Sequence, residues 1–251
     1  MLVMGILNVT PDSFADGGRH NEFEAAVARG IEMIAEGVDI IDVGGESTRP
    51  GAERVSEEEE IARTIPVIRE LAKHGATISI DTMRASTAEA AIKAGAAIIN
   101  DVSGGLADDA MLQTAARLKV PYIAMHWRGQ SKDMNSKAIY GDVVNDVIAE
   151  LNERIDAALD AGIQKDKLII DPGIGFAKDA EHNWAIIDAI DRFVELGYPV
   201  LVGASRKRFL GGDTPDEREQ ATIDLTKRLG TTGVWAVRVH SVKPHKEVLS
   251  S

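Results

Sequence analysis

Eight short apolar runs divide the chain at regular intervals. They are Leu2–Leu7, Ile40–Val43, Thr77–Ile80, Ala97–Ile99, Tyr122–Met125, Leu168–Ile170, Val200–Val202 and Val234–Val237. None alternates cleanly between apolar and polar, which predicts strands buried on both faces, as in a parallel sheet. Between them, apolar positions recur at helical spacing over Glu22–Glu36, Glu57–Lys73, Ser86–Ala94, Asp108–Leu118, Asp142–Ala161, Asp179–Leu196 and Asp216–Leu229. A stub, Pro244–Leu249, follows the last run.

Local signals agree with these elements. Ser56 and Glu59 form a capping-box pattern, and the acidic run Glu57–Glu60 suits the positive end of a helix. Pro66 predicts a kink or a restart within that helix. Gly37, Gly75, Gly95, Gly162, Gly197 and Gly230 stand where helices should stop. Eight βα units in 251 residues predict an α/β fold of the (β/α)8 TIM barrel type, one domain over residues 1–251 with a very short eighth helix. A doubly wound open sheet is the structural alternative. No glycine-rich dinucleotide or P-loop fingerprint follows the first strand.

Composition narrows the class. The chain is 44% hydrophobic and 27% charged, ordinary for a globular protein. No apolar run approaches the roughly 18 residues that span a bilayer, and the N-terminus lacks a signal-peptide pattern, so a cytoplasmic location is expected. The absence of cysteine excludes disulfide and thiolate chemistry. A net charge of -12 argues against nucleic acid or an anionic membrane as a general partner, but leaves room for a small anion in a local basic site.

Chemistry gathers at one end of every predicted strand. In order, these ends carry Asn8, Asp42, Asp81, Asn100–Asp101, His126, Asp171, Ser205 with Lys207, and Arg238 with His240. In a barrel these ends converge on the catalytic face. Asp81, Asn100 and Asp171 suit a planar heterocycle with amino and lactam edges. Arg49, Lys207, Arg238 and His240 suit phosphate oxygens. Asn8 and the carboxylates suit Mg²⁺, whereas no Cys/His cluster suits zinc. Ser205 lacks triad partners in motif spacing. Alone, Gly203–Arg208 reads as a basic turn; after a seventh barrel strand it reads as part of a site. The long polar loops after the first two strands suit closure over a substrate.

The motifs also resemble a known family. Met4–Phe14 followed by Asp16-Gly17-Gly18, and Ile41–Gly51, resemble the two signatures of the dihydropteroate synthases. Ser79–Thr82, Ile99–Val102, Met125-His126, Asp171–Phe176, Gly203–Lys207 and Arg238–His240 follow in family order, with wording similar to the actinobacterial branch. The resemblance implies condensation of 6-hydroxymethyl-7,8-dihydropterin diphosphate with 4-aminobenzoate, giving 7,8-dihydropteroate and diphosphate in folate biosynthesis, and sensitivity to sulfonamides. It implies that Asp81, Asn100, Val102, Met125, Asp171 and Lys207 bind the pterin. It gives the diphosphate to Asn8, Thr48, Arg49, Arg238 and His240, with Mg²⁺ at Asn8. Phe14, Pro50, Phe176, Ser205 and Arg206 would shape the aminobenzoate site. Asp81, Lys207, Asp16, Arg238 and His240 are the implied catalytic set, and a homodimer is the candidate assembly. Ser241 departs from the family's usual Asp, which bears on the support of His240. That departure and the short tail motivate an alternative, an inactive pterin-binding paralogue. A second is a methyltetrahydrofolate-type methyltransferase of the same fold, which would not need Thr48-Arg49-Pro50 or Ser205-Arg206-Lys207.

Overall fold

The computed structural model describes residues 1–10, 18–46, 55–129 and 134–250. Eight parallel strands alternate with helices in the order the apolar runs predict: β1 (Leu2–Asn8), β2 (Ile40–Gly44), β3 (Ile78–Asp81), β4 (Ile98–Asp101), β5 (Tyr122–Met125), β6 (Leu168–Asp171), β7 (Leu201–Val202) and β8 (Ala236–Val239). The hydrogen-bonded order is β6-β5-β4-β3-β2-β1-β8-β7. A parallel bridge between Ile170 and Val200 joins the two ends, and Ile170 N donates to Pro199 O at 2.9 Å. The sheet is thereby a barrel.

The helices are α1 (Gly18–Ala35), α2 (Glu57–Lys73), α3 (Ala85–Ala94), α4 (Met111–Leu118), α5 (Val143–Asp160), α6 (Ala180–Asp188), α7 (Ile190–Val194), α8 (Glu219–Leu229) and α9 (Lys243–Ser250). The Ser56 hydroxyl accepts from Glu59 N at the start of α2, as the capping pattern predicts. The acidic run is not uniform, however. Glu60 is buried, and its carboxylate accepts from Thr82 Oγ1 at 2.6 Å and Thr87 Oγ1 at 3.2 Å and binds Arg84. Pro66 neither ends nor restarts α2. The lost ladder bond is outweighed by burial of Thr64, Val67, Ile68 and Leu71 on both sides of it. The predicted Asp179–Leu196 helix is two helices, broken at Ala189. Five of the six predicted stop glycines take left-handed φ. Gly230 does not, and the reversal falls instead at Gly233, with φ 82°. The helix after β8 spans eight residues.

Two apolar layers hold the barrel. Val3, Ile41, Val43, Ile78, Ile80, Ile99, Tyr122, Ile170, Val202 and Val237 face outward into the larger core under the helices. Met4, Ile40, Ile98, Ile123, Ile169, Leu201 and Ala236 form a separate inner cluster. Side chains alternate along each strand. Two positions beyond this inner layer, toward the strand C-termini, the inward residues are therefore Ile6, Asp42, Asn100, Met125, Asp171, Gly203 and Arg238, with Asp81, two beyond the inward Ser79, on β3. The barrel interior is apolar below, apart from the buried Ser79 hydroxyl, and charged above. Among the described residues, no helix is long and apolar enough to cross a membrane.

Candidate active site

Strand register builds the charged layer. Asn8 pairs with Gly44, Gly44 with Asp81, and Asp81 with Asn100, so these side chains rise from neighbouring strands onto one face. Arg238 on β8 spans the centre. Its Nε donates to Asp42 Oδ2 at 2.6 Å and its Nη2 donates to Asp81 Oδ2 at 2.6 Å. Asn100 Nδ2 donates to the same Asp42 oxygen at 3.0 Å. The other oxygen of Asp42 is buried without a hydrogen-bond partner among the described residues. Burial raises the Asp81 carboxyl well above the carboxylate range; Arg238 opposes the shift and Asp42 adds to it. Burial works against the charge of Arg238, but Asp42 and Asp81 outweigh it and hold the guanidinium above its ordinary value.

Gly203 leaves space on the β7 side, where a Cβ would stand 3.8 Å from Arg238 Cβ and 3.9 Å from Asp171 Oδ2. Asp171 Oδ1 accepts from Gly173 N at 2.7 Å, while burial raises its pKa. Lys207 runs past Gly175, where a Cβ would stand 2.6 Å from its Cδ. Its Nζ donates to Ile174 O and stands 4.5 Å from the centre of the Phe176 ring. Burial lowers the Lys207 pKa to about 8, against the attraction of Asp171. Two carboxylates on one guanidinium, with a third beside a lysine, make a polar ring that contains no hydroxyl or thiol nucleophile. Such a ring suits orientation and charge stabilisation.

The remaining expected residues divide. Asn8 is half-buried at the end of β1, and Val102 and Met125 are buried near Asn100 and Asp171. Ser205 is buried; its Oγ accepts from His240 N at 3.2 Å and lies 2.9 Å from His240 Nδ1. Phe176 borders Lys207 as above. Arg206 adopts a left-handed backbone, φ 57°. Its guanidinium donates to Glu219 Oε2 at 2.6 Å and Ser241 Oγ at 2.8 Å, toward α8 and away from Lys207. Ser241 thus partners Arg206, while His240 is held by Ser205. Phe14, Asp16, Thr48, Arg49 and Pro50 lie outside the described residues.

Two groups were given no role from the sequence. Asp42 is fully buried and is the shared acceptor for Arg238 and Asn100; its place at a strand end beside Asn8 and Asp81 is the signal that finds it. Lys178 is also buried, following the Asp171–Phe176 motif. Its Nζ donates to Gly173 O at 3.0 Å, Phe176 O at 3.0 Å and His126 Nδ1 at 2.9 Å. Asp101, next to Asn100, points out of the barrel. Its carboxylate is consumed by Ser103, Gly105 and Tyr122, the last at 2.7 Å.

The sequence profile of the pterin-binding enzymes matches residues 4–240. The chain is 48% identical over 257 residues to dihydropteroate synthase of Mycobacterium leprae, covering 98% of this chain and 90% of that protein. Its fold superposes with a TM-score of 0.93 on Xanthomonas albilineans dihydropteroate synthase with 4-aminobenzoic acid, at 44% identity, covering 99% of this chain and 90% of the other. The Yersinia pestis dihydropteroate synthase in complex with a sulfonamide drug superposes equally, TM-score 0.93, at 38% identity and covering 99% and 92% of the two chains. By its matched length, its barrel and its relatives, the chain belongs to the pterin-binding enzyme family and, within it, to the dihydropteroate synthases.

Proposed function

We propose that the chain joins 6-hydroxymethyl-7,8-dihydropterin diphosphate to 4-aminobenzoate, releasing diphosphate and 7,8-dihydropteroate. The observation that carries this assignment to the barrel mouth is the buried ring of Asp42, Arg238, Asp81, Asn100, Asp171 and Lys207 without a hydroxyl or thiol nucleophile. Asp171, Asn100 and Lys207 meet the hydrogen-bonding edges of the pterin, between the apolar walls of Val102 and Met125. The C–O bond to the diphosphate breaks with its electron pair on the departing oxygen. The carboxylate of Asp81, beneath the ring, stabilises the positive charge left on the pterin methylene. The arylamine nitrogen then forms the new C–N bond, and its proton passes to the departing diphosphate.

Departure of the diphosphate is assigned to Asn8, Arg238 and His240, with Thr48 and Arg49 from the second loop. Arg238 serves two ends here, since its guanidinium is already fixed by Asp42 and Asp81. Phe176 and Ser205, with Phe14 and Pro50, receive 4-aminobenzoate. Arg206 belongs at the rim only if it leaves Glu219. Asp16 is assigned to the first loop near the arylamine.

Magnesium fits as a companion of the substrate. The described residues hold no group of three or more carboxylate or imidazole ligands. Asp42 and Asp81 each give one oxygen to Arg238, and the family resemblance points to the Asn8 side-chain oxygen as the protein's ligand, with diphosphate and water as the kind of oxygen donors that would complete the shell. Bound there, the ion would neutralise leaving-group charge.

The test is release of diphosphate from the pterin diphosphate with and without 4-aminobenzoate across a Mg²⁺ series. Arylamine-dependent diphosphate with equimolar dihydropteroate is expected, and a sulfonamide should raise the apparent KM for 4-aminobenzoate. Absence of any arylamine-dependent product at every Mg²⁺ level sinks the assignment.

A further inference from the structure

The turn after β6 is bent in a way its sequence does not favour on its own. Gly173, Gly175 and Ala177 all have left-handed backbone, with φ of 68°, 79° and 48°. Glycine adopts this freely, but an alanine there is disfavoured by its Cβ. The bend must therefore be held from outside.

The holding group on the helix side is Lys178. A lysine ammonium has three donors and no acceptor, and here all three are used: Gly173 O, Phe176 O and His126 Nδ1. The two carbonyls bracket the turn. Because Lys178 donates to Nδ1, the hydrogen of His126 sits on Nε2 and is donated to Glu150 Oε2 at 2.9 Å. Glu150 pairs with Arg128, the Arg128 guanidinium lies 3.8 Å above the Tyr140 ring, and the Tyr140 hydroxyl donates to Ala177 O at 3.0 Å. These contacts form a closed circuit that begins and ends on the same turn. Glu150 and Arg128 are its charged pair; His126 joins them as a neutral ring, its pKa lowered by burial to about 4, and burial lowers that of Lys178 to about 7.

The mouth side of that turn carries site groups. Ile174 O accepts from Lys207, and the Phe176 ring lies against the Lys207 ammonium. Two lysines thus grip one turn from opposite sides, one toward substrate and one away from it.

We propose that Lys178 is a positioning residue for the condensation: by fixing the carbonyls of Gly173 and Phe176 it sets where Phe176 and Lys207 meet 4-aminobenzoate and the pterin. The proposal rests on the reading of Phe176 and Lys207 as substrate-contacting groups. Lys178 itself touches neither substrate. Its removal acts on geometry, and small misplacements of a bound reactant carry large rate penalties.

Lys178→Met and Tyr140→Phe, with Phe176→Ala as control, test this in the full chain by hydrogen–deuterium exchange and by steady-state kinetics for each substrate. Lys178→Met should speed exchange over residues 172–178 with the other strands unchanged. It should raise the KM for 4-aminobenzoate and lower kcat, together costing roughly ten- to a hundredfold in kcat/KM, while the KM for the pterin diphosphate moves less. Tyr140→Phe, which keeps the ring and removes one hydrogen bond, should move both readouts in the same direction by about threefold; it carries the test if Lys178→Met does not fold. Exchange over 172–178 that stays at the wild-type rate, or rises equally throughout the barrel, overturns the proposal. Faster local exchange with the KM for 4-aminobenzoate unchanged in all three variants supports the brace but overturns the reading of Phe176.

Discussion

Asp42→Asn isolates the electrostatics of the barrel mouth. The change keeps the shape of a fully buried side chain and removes one charge from the Asp42–Arg238–Asp81 group. Its first effect is on Arg238. A charge-assisted hydrogen bond contributes about 1.5–3 kcal/mol and a neutral one about 0.5–1.5, so the guanidinium loses roughly 1–2 kcal/mol of its anchoring at Nε. If that anchoring is felt in the transition state, plateau kcat/KM falls about five- to thirtyfold. The second effect is on Asp81. Burial raises its pKa to about 7, Arg238 lowers it and Asp42 raises it. Removing Asp42 takes away the repulsion and frees Arg238 for Asp81, so both changes lower the Asp81 pKa. Two charges about 4 Å apart at an effective dielectric of about 20 interact by roughly 4 kcal/mol, an upper bound of about 3 pH units. A downward move of about 1–3 units is expected.

The sign carries through to stability. A carboxyl whose pKa is raised in the folded state binds more protons folded than unfolded, so it favours folding at low pH. That contribution is lost as pH rises from about 4 to about 7. In Asp42→Asn this window narrows from its upper end. The assay is a kcat/KM–pH profile paired with a carboxyl-carbon NMR titration of Asp81. On the proposed role of Asp81 its carboxylate is the active form, so the acid limb of the variant should lie at lower pH than that of the wild type. An acid limb that stays in place or moves up would refute the electrostatic account of Asp81.

Three further outcomes follow from other residues. Lys207→Ala should cost at least tenfold in kcat/KM, since charged hydrogen bonds are worth about 1.5–3 kcal/mol; wild-type kinetics would remove Lys207 from the site. Gly175→Ala places a Cβ against the Lys207 side chain at a φ of 79°, so it should cost roughly 1–3 kcal/mol of stability and lower activity, both read by thermal unfolding and steady-state rates. Tyr122→Phe removes a buried bond to Asp101, 2.7 Å long and outside the barrel; it should cost roughly 1–3 kcal/mol in denaturant unfolding with both KM values unchanged.

The fold was legible because its strands are buried on both faces and so appear as unbroken apolar runs. β8 shows where that signal runs out. The apolar run Val234–Val237 predicts a strand two residues early, whereas the ladder occupies Ala236–Val239. Arg238 ends the run but not the strand, because an inward position on a barrel strand is where a functional charge belongs. The site was legible as a set of strand ends, yet period-2 geometry decides which member of a pair takes part: Asn100 faces in and Asp101 faces out. Lys178 was not legible, because its partners include His126, 52 positions away, and only packing brings them together. The same holds for Arg206, whose left-handed backbone redirects a cation that sequence places with Lys207.

The two-tiered barrel interior has a kinetic consequence. The layer of Met4, Ile40, Ile98, Ile123, Ile169, Leu201 and Ala236 is an insulating floor under the Asp42–Arg238–Asp81 group. Among the described residues the polar side chain in that tier is Ser79, whose buried hydroxyl has no hydrogen-bond partner and so starts no relay; protons then reach these carboxylates from the strand C-terminal end, where the substrates are proposed to bind. On the proposed binding of the pterin at this ring, an occupied mouth also slows proton exchange, so the protonation state held at docking carries into the reaction. Proton exchange with solvent and substrate binding then compete at one end of the barrel.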